Sequence, residues 1–458
     1  MNGISDPAGE SAHSSSDPWA LDLPEAHLPG ARRWLLLGLV ALGGAGLFAV
    51  LLVLSRIPGA EGWLPGIDLF RVALVVHVDL SVLVWFLAFA GFLWTLRDGP
   101  RDAWGRRAFA LAAAGTAFVV ATPFTGTGQP VLSNYVPVLT SPLFLGGLAL
   151  FALGISLRAF MCLQGGLETA HRTPVSAGLF LAAAGTVLAA FTLLRTGMKM
   201  PVLANPALRY EVLFWPAGHV LQFAYTALLL SAWLWLAAGT GQRPVGGPRV
   251  ATMLLLSGIL PLFGVPVVEM MSVAGSAEQR MNYTLLMRWG GLWPTVPVGL
   301  MVLLGLFTGP RAAPEHRPAR SALYGSLLLF AVGGGLGWMI SGLNTVIPAH
   351  YHGSIVGVTL ALMGLTYLLL PRLGYRPVTG RLARAQPWVY AGGQLVHIAG
   401  LTWSGTLGVQ RKTAGVEQAL DSSEKMAAMG LSGLGGLLAI VGGLLFLVVC
   451  WQAMRRDR

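Results

Sequence analysis

Two histidines separated by one residue, in Ala349-His350-Tyr351-His352, sit inside an apolar segment. On an α-helix, positions i and i+2 lie about 200° apart. The two imidazoles therefore leave opposite sides of one helix and cannot easily share a metal. Each needs a partner of its own in a medium that penalises polar groups. The economical reading is one helix standing between two cofactors and ligating each.

Seven further histidines complete the set of nine. His13 and His27 fall in a polar N-terminal stretch, and His171 and His316 fall in loops between apolar runs. His77, His219 and His397 lie within apolar runs, where an ionisable side chain is costly and functional by default. Counted from the same membrane face, His77, His219, His350 and His352 all lie a few residues in. At 1.5 Å per residue, His77 is roughly 9 Å deep. Glu269 lies near the same face of another run. His397 is nearer mid-depth and reads as a hydrogen-bonding core histidine.

The elements that must position these residues are membrane helices. Hydrophobic residues make up 55% of the chain and charged residues 11%. A bilayer core of roughly 30 Å needs about 20 apolar residues per crossing. Twelve runs qualify, near 34–55, 71–96, 106–123, 140–162, 174–195, 212–238, 250–272, 283–307, 321–341, 346–370, 387–408 and 429–453. The third and seventh have the weakest boundaries, because Pro123, Pro261 and Pro266 interrupt them. The chain thus reads as an all-α membrane protein: a disordered tail over residues 1–33, rich in Ser, Pro and acidic side chains, then one transmembrane domain over 34–458.

The net charge of +11 is a topology signal. With twelve spans both termini share one face. Of the 30 basic residues, 20 fall on that face, nine on the other, and Arg288 inside a span. The positive-inside bias puts both termini in the cytoplasm, with no cleavable signal peptide ahead of the first span. Cys162 and Cys450 are too few for a disulfide framework, and the absence of a CxxCH excludes covalent haem within this chain.

These residues resemble subunit I of the haem–copper oxidase superfamily, which includes cytochrome oxidases and related nitric oxide reductases. IPAHYHGSIVG resembles its tenth helix, HVDLSVLVW its second, FWPAGHVLQFAYT its sixth, and GQLVHIAGLTWSGTLGVQRK its eleventh helix and following loop. The resemblance implies a twelve-helix bundle holding two haems, b-type by default. His77 and His352 would be the axial ligands of a low-spin haem and His350 the proximal ligand of a reactive one. His219 would face that haem as a ligand of copper or non-haem iron, and Arg411 and Lys412 would pair with haem propionates.

The chain departs from the family pattern around that second metal. No adjacent His-His pair exists; with Arg280 set on a family arginine, Val268 and Glu269 stand at its place. Phe223 occupies the position of the family's cross-linked tyrosine, with Tyr225 two residues on. Leu221 replaces a carboxylate common in proton-pumping members, and LWPTVPVGLM offers no lysine for a second proton route. Copper wants several nitrogen ligands at fixed geometry, so a His219–Glu269 pair suits iron or no metal at all.

Three functions remain open on the sequence. In the first, a divergent respiratory subunit relays electrons through both haems to a small oxidant, oxygen or a nitrogen oxide, with His219 and Glu269 at the catalytic pocket. In the second, a haem-bearing electron-transfer or quinol-handling subunit has lost gas reduction. A cofactor-free transporter would leave the His-x-His helix unexplained. Either haem reading places the chain in a bacterial inner membrane. It also calls for partner subunits carrying the electron entry, a cytochrome c or a copper domain, and a periplasmic or quinol donor; neither reading involves nucleic acid.

Overall fold

The computed structural model describes residues 17–54, 68–100, 102–413 and 415–455. Twelve long helices run through them. We label them α1 (Leu28–Leu54), α2 (Leu69–Asp98), α3 (Asp102–Ala121), α4 (Pro142–Gln164), α5 (Pro174–Lys199) and α6 (Pro206–Gly239). The remaining six are α7 (Gly247–Met271), α8 (Ala277–Thr308), α9 (Arg317–Gly337), α10 (Val346–Leu369), α11 (Arg381–Thr406) and α12 (Ser423–Met454).

Eleven are long and apolar enough to cross a membrane. The twelfth, α11, is 26 residues long and carries buried Gln386 and Gln394, with His397 half-buried. The chain is a multi-pass membrane protein of about twelve helices, as its apolar runs require. The third run ends in a short 3-10 turn over Thr122–Thr125, which contains Pro123. The seventh is broken into Gly247–Ser257, Pro261–Phe263 and Gly264–Met271; Pro261 opens the middle piece, while Pro266 sits within the last.

Helix starts follow from local chemistry. Asp68, Thr173, Asn205, Ser276 and Ser422 each accept a hydrogen bond from the backbone N–H three residues on. Pro174 and Pro206 sit at first helical positions, where no N–H is needed. Successive helices pair as α1–α2, α3–α4, α5–α6, α9–α10 and α11–α12, and α12 returns to α1. At the centre stand α6 and α10. In each, 83% of the most apolar stretch is buried, against 28% in α1 and α8.

Of the expected tail, residues 1–16 lie outside the described residues. Residues 17–33 are not a free tail: Trp19, Ala20 and Leu21 are buried, Nδ1 of His27 donates to the Leu96 carbonyl at 2.8 Å, and α1 already starts at Leu28. The apolar Trp-Ala-Leu triplet supplies the surface that holds this part down.

Between α3 and α4 a loop carries a small hairpin, β1 (Pro130–Val131) and β2 (Val138–Leu139), antiparallel with Pro130 opposite Leu139. Its tip, Leu132 to Tyr135, reaches the polar residues described next.

Candidate functional site

Three intramembrane histidines show how this bundle treats an imidazole. In α2, Nδ1 of His77 is 2.9 Å from the Ala45 carbonyl of α1. In α10, Nδ1 of His350 is 2.7 Å from the Gly333 carbonyl of α9. Nδ1 of His352 lies 3.3 Å from Oε1 of Gln394 on α11. A carbonyl oxygen can only accept, so each Nδ1 carries the proton and each Nε2 holds the lone pair. For His77 and His350, Nε2 has no hydrogen-bond partner among the described residues. That is the tautomer and orientation a metal-binding histidine needs.

The two histidines of α10 turn to different neighbours, His350 to α9 and His352 to α11, as the 200° separation requires. The α9 contact depends on glycine. A Cβ at Gly333 would stand 2.2 Å from the Ser354 nitrogen, and one at Gly353 would stand 2.3 Å from the Gly333 Cα. Backbone against backbone is the only packing that brings the Gly333 carbonyl to His350.

His397 stacks edge-on against His352, ring centroids 4.5 Å apart. Its Nδ1 lies 2.7 Å from the Ser432 carbonyl of α12, which gives it a core hydrogen bond.

His219 is held differently. Its Nδ1 donates to the Trp215 carbonyl one turn back, at 2.8 Å, so Nε2 is again the acceptor. Here, however, the Tyr135 hydroxyl lies 3.0 Å from Nε2. Burial pushes the Tyr135 phenol up, which keeps it a donor. Thr284 stands 3.4 Å from the same nitrogen, but its hydroxyl donates to the Arg280 carbonyl at 2.8 Å. Gly218 makes room for the phenol: a Cβ there would lie 2.1 Å from Tyr135 Cγ.

Glu269 is engaged elsewhere. It forms an ion pair with Arg195 of α5 and accepts from Tyr283 at 2.6 Å and Gln279 at 3.0 Å, both on α8. The Arg195 guanidinium also donates to the Glu269 carbonyl at 2.8 Å. No described contact joins His219 to Glu269. Among the described residues no group of three or more His, Cys, Asp or Glu side chains could hold a metal ion. The open Nε2 of His77 and of His350 is a donor of the kind haem iron takes, whereas Nε2 of His219 is engaged by the Tyr135 hydroxyl.

Arg411 and Lys412 converge on the hairpin tip. Both donate to Oδ1 of Asn134, at 2.7 and 3.1 Å. Arg411 also donates to the Tyr351 hydroxyl, and Lys412 to the Leu132 carbonyl. Glu211 of α6 closes the network through the Asn134 amide. Burial, with the Arg411 guanidinium alongside, pulls Lys412 down to about 8, against the opposing pull of Glu211. Tyr351, between the two histidines of α10, thus ties that helix to the basic pair.

Sequence reasoning missed Tyr135, Asn134 and Glu211. Their loop and helix-start positions carry no periodic signal; the one hint was a polar Ser-Asn-Tyr run between apolar neighbours.

The sequence profile of the family described as "Cytochrome C and Quinol oxidase polypeptide I" matches residues 31–438. An uncharacterized protein of Rickettsia prowazekii (strain Madrid E) is 28% identical, over 93% of this chain and 96% of that protein. A cytochrome c oxidase subunit 1 of Thermus thermophilus is 34% identical over 31% of this chain and 28% of that protein. The cryo-EM structure of a heme-copper terminal oxidase dimer superposes with a TM-score of 0.74 at 17% identity, covering 94% of this chain and 85% of that one. At that identity it speaks for the fold.

Proposed function

The chain belongs to the cytochrome c and quinol oxidase polypeptide I family, and from that premise we propose that it is a haem-bearing subunit of a respiratory membrane complex. In this reading it relays electrons to a small oxidant, oxygen or a nitrogen oxide. The observation that carries it is the shared presentation of His77 and His350, Nδ1 fixed on a backbone carbonyl and Nε2 left for iron. His77 and His352 would hold one haem and His350 a second, both b-type by default. Bound haem would supply reversible one-electron chemistry and, at His350, a face for a small ligand.

The protein's own residues do the positioning. Ala45, Gly333 and Gln394 hold the imidazole protons on Nδ1 and so keep the nitrogens that face the haems basic. Arg411 and Lys412 keep positive charge next to Tyr351 on the face opposite the termini, where they would meet propionates. The complex would lie in a bacterial inner membrane with both termini cytoplasmic. Partner subunits would bring electrons from a periplasmic or quinol donor.

A second reading, an electron-transfer or quinol-handling subunit without gas reduction, has its own support. Tyr135 occupies the nitrogen of His219 that a second metal would need, and Arg195 occupies Glu269. One experiment separates the two: reduced-minus-oxidised spectra of the purified protein with and without carbon monoxide, alongside metal analysis. Two haems, one shifting with carbon monoxide, support gas reduction. Two haems with no such shift leave the electron conduit. A haem-free protein overturns both.

A further inference from the structure

One charge within the membrane has no task in the haem reading. Between Met281 and Phe307, α8 carries a single charged side chain, Arg288. It follows Ala277 by eleven residues, roughly 16 Å along the axis. Met281, Leu285 and Leu292 are exposed and mark the outward face of the helix, and Arg288 is exposed in the same stripe. Among the described residues its guanidinium makes no hydrogen bond or ion pair; it lies over the Trp338 ring, 5.6 Å from the centroid. An ionisable side chain at such a depth is costly and marks a functional position with a partner to be named.

The surroundings form a slot. α8 packs on α6 and α7, while α9 packs on α6, α10 and α11. The two helices meet at exposed tryptophans: Trp338, just past the end of α9, stands edge-on to Trp289 of α8, ring centroids 5.9 Å apart. Deeper in, the walls are bare. Gly291 lies one turn beyond Arg288 on α8, and Gly334 lies one turn before Trp338 on α9. The two helices cross the membrane in opposite directions, so both glycines stand toward its middle. A Cβ at either would meet nothing within 4 Å. The guanidinium and two indoles thus roof an open space with glycine sides. The slot adjoins the His350 site, because a Cβ at Gly337, next to Trp338, would stand 3.0 Å from His350 Nδ1.

These features select the ligand. A guanidinium donates and never accepts, so its partner carries an acceptor oxygen. Indole rings favour a flat, unsaturated partner. The open space lies on the membrane-interior side of the arginine, among apolar side chains, whereas a phospholipid phosphate stays at the surface. A quinone joins the required parts: a flat ring, carbonyl oxygens and an isoprenoid tail that belongs in the bilayer. We propose that Arg288, Trp289 and Trp338 bind a quinone or its quinol, one ring oxygen on the guanidinium and the ring over Gly291 and Gly334. The role of this site rests on the reading of the chain as a respiratory subunit with a quinol donor.

The test uses the purified full-length protein in dodecyl maltoside, titrated calorimetrically with decylubiquinone and, separately, with menaquinone-2. One of the two should bind at one site per chain. R288Q should weaken it by roughly tenfold to a hundredfold, the loss of a hydrogen bond to a charged group. G291L places its side chain in open space, so it should fold and yet block the slot. L303A, exposed farther along α8, should leave binding unchanged. Equal binding by R288Q and the unaltered chain, or equal binding of decylbenzene, which has the tail without the oxygens, would overturn the site. Displacement by dioleoyl phosphatidylglycerol at matched concentration would hand Arg288 to a lipid headgroup and overturn it too. So would loss of haem absorbance in R288Q, which would give the slot to haem. A haem-containing protein that binds neither quinone overturns the site and leaves the haem function standing; a haem-free protein that binds one through Arg288 does the reverse.

Discussion

Replacing Tyr135 with Phe removes one atom from the pocket and isolates one bond. The His219 side chain is 2% exposed, and the Tyr135 hydroxyl at 3.0 Å is its close donor at Nε2. Thr284, farther off, already donates to the Arg280 carbonyl. The Phe ring keeps the edge contact with Trp215, centroids 5.7 Å apart for Tyr135, so no cavity opens. What remains is a buried acceptor without a donor, which costs about 1–3 kcal/mol. In a His219→Leu background the acceptor is gone, and Y135F should then be close to neutral. A double-mutant cycle, measured by unfolding in mixed SDS and dodecyl maltoside micelles, should therefore give a coupling of about 2 kcal/mol. A coupling below about 0.5 kcal/mol, with a non-haem metal lost in H219L alone, would refute the reasoning. It would mean that His219 Nε2 serves a metal and not the phenol.

Other outcomes follow from the same geometry. Gly333→Ala puts a Cβ 2.2 Å from the Ser354 nitrogen, so α9 must move off α10 and carry the His350 anchor with it. The expected loss is about 1–3 kcal/mol or more with lowered haem content, and an unchanged haem spectrum would argue against that anchor. Glu269→Gln strands the Arg195 charge and should cost about 3 kcal/mol, most of it recovered in an R195M/E269Q double variant; a benign R195M alone would show that Glu269 serves another partner. Lys412 has its pKa drawn down to about 8 by burial and by Arg411. From that pH up to roughly 10.4, its usual value, the unfolded chain binds a proton that the folded chain has released. Stability should therefore rise with pH across this window and stay flat in K412M. Parallel curves for the two proteins would count against burial of the ammonium group.

The membrane class and the helix order were legible from residue 34 onward, because apolar run length is a local property and the bilayer sets the length required. The geometry of His350 and His352 was equally local: two positions apart on one helix must face apart, whatever surrounds them. The break in α7 at Pro261 could be read too, since a proline acts on its own turn.

The chemistry of the pocket was not local. His219 and Glu269 looked like a pair because both lie near one membrane face, yet depth fixes only one coordinate. The structure gives Glu269 to Arg195, 74 residues away, and His219 to Tyr135, 84 residues away in a loop with no helical period. The Ala45 carbonyl that orients His77 and the Gly333 carbonyl that orients His350 belong to residues with no side chain capable of signalling such a role. Sequence by itself therefore determined that the bundle has about twelve helices, which of them carry imidazoles and which way the paired histidines part. Tertiary structure alone decided which oxygen holds each imidazole and which nitrogens stay open. A hydrogen bond between distant segments depends on how closely two backbones approach, and that follows from the packing of the whole bundle.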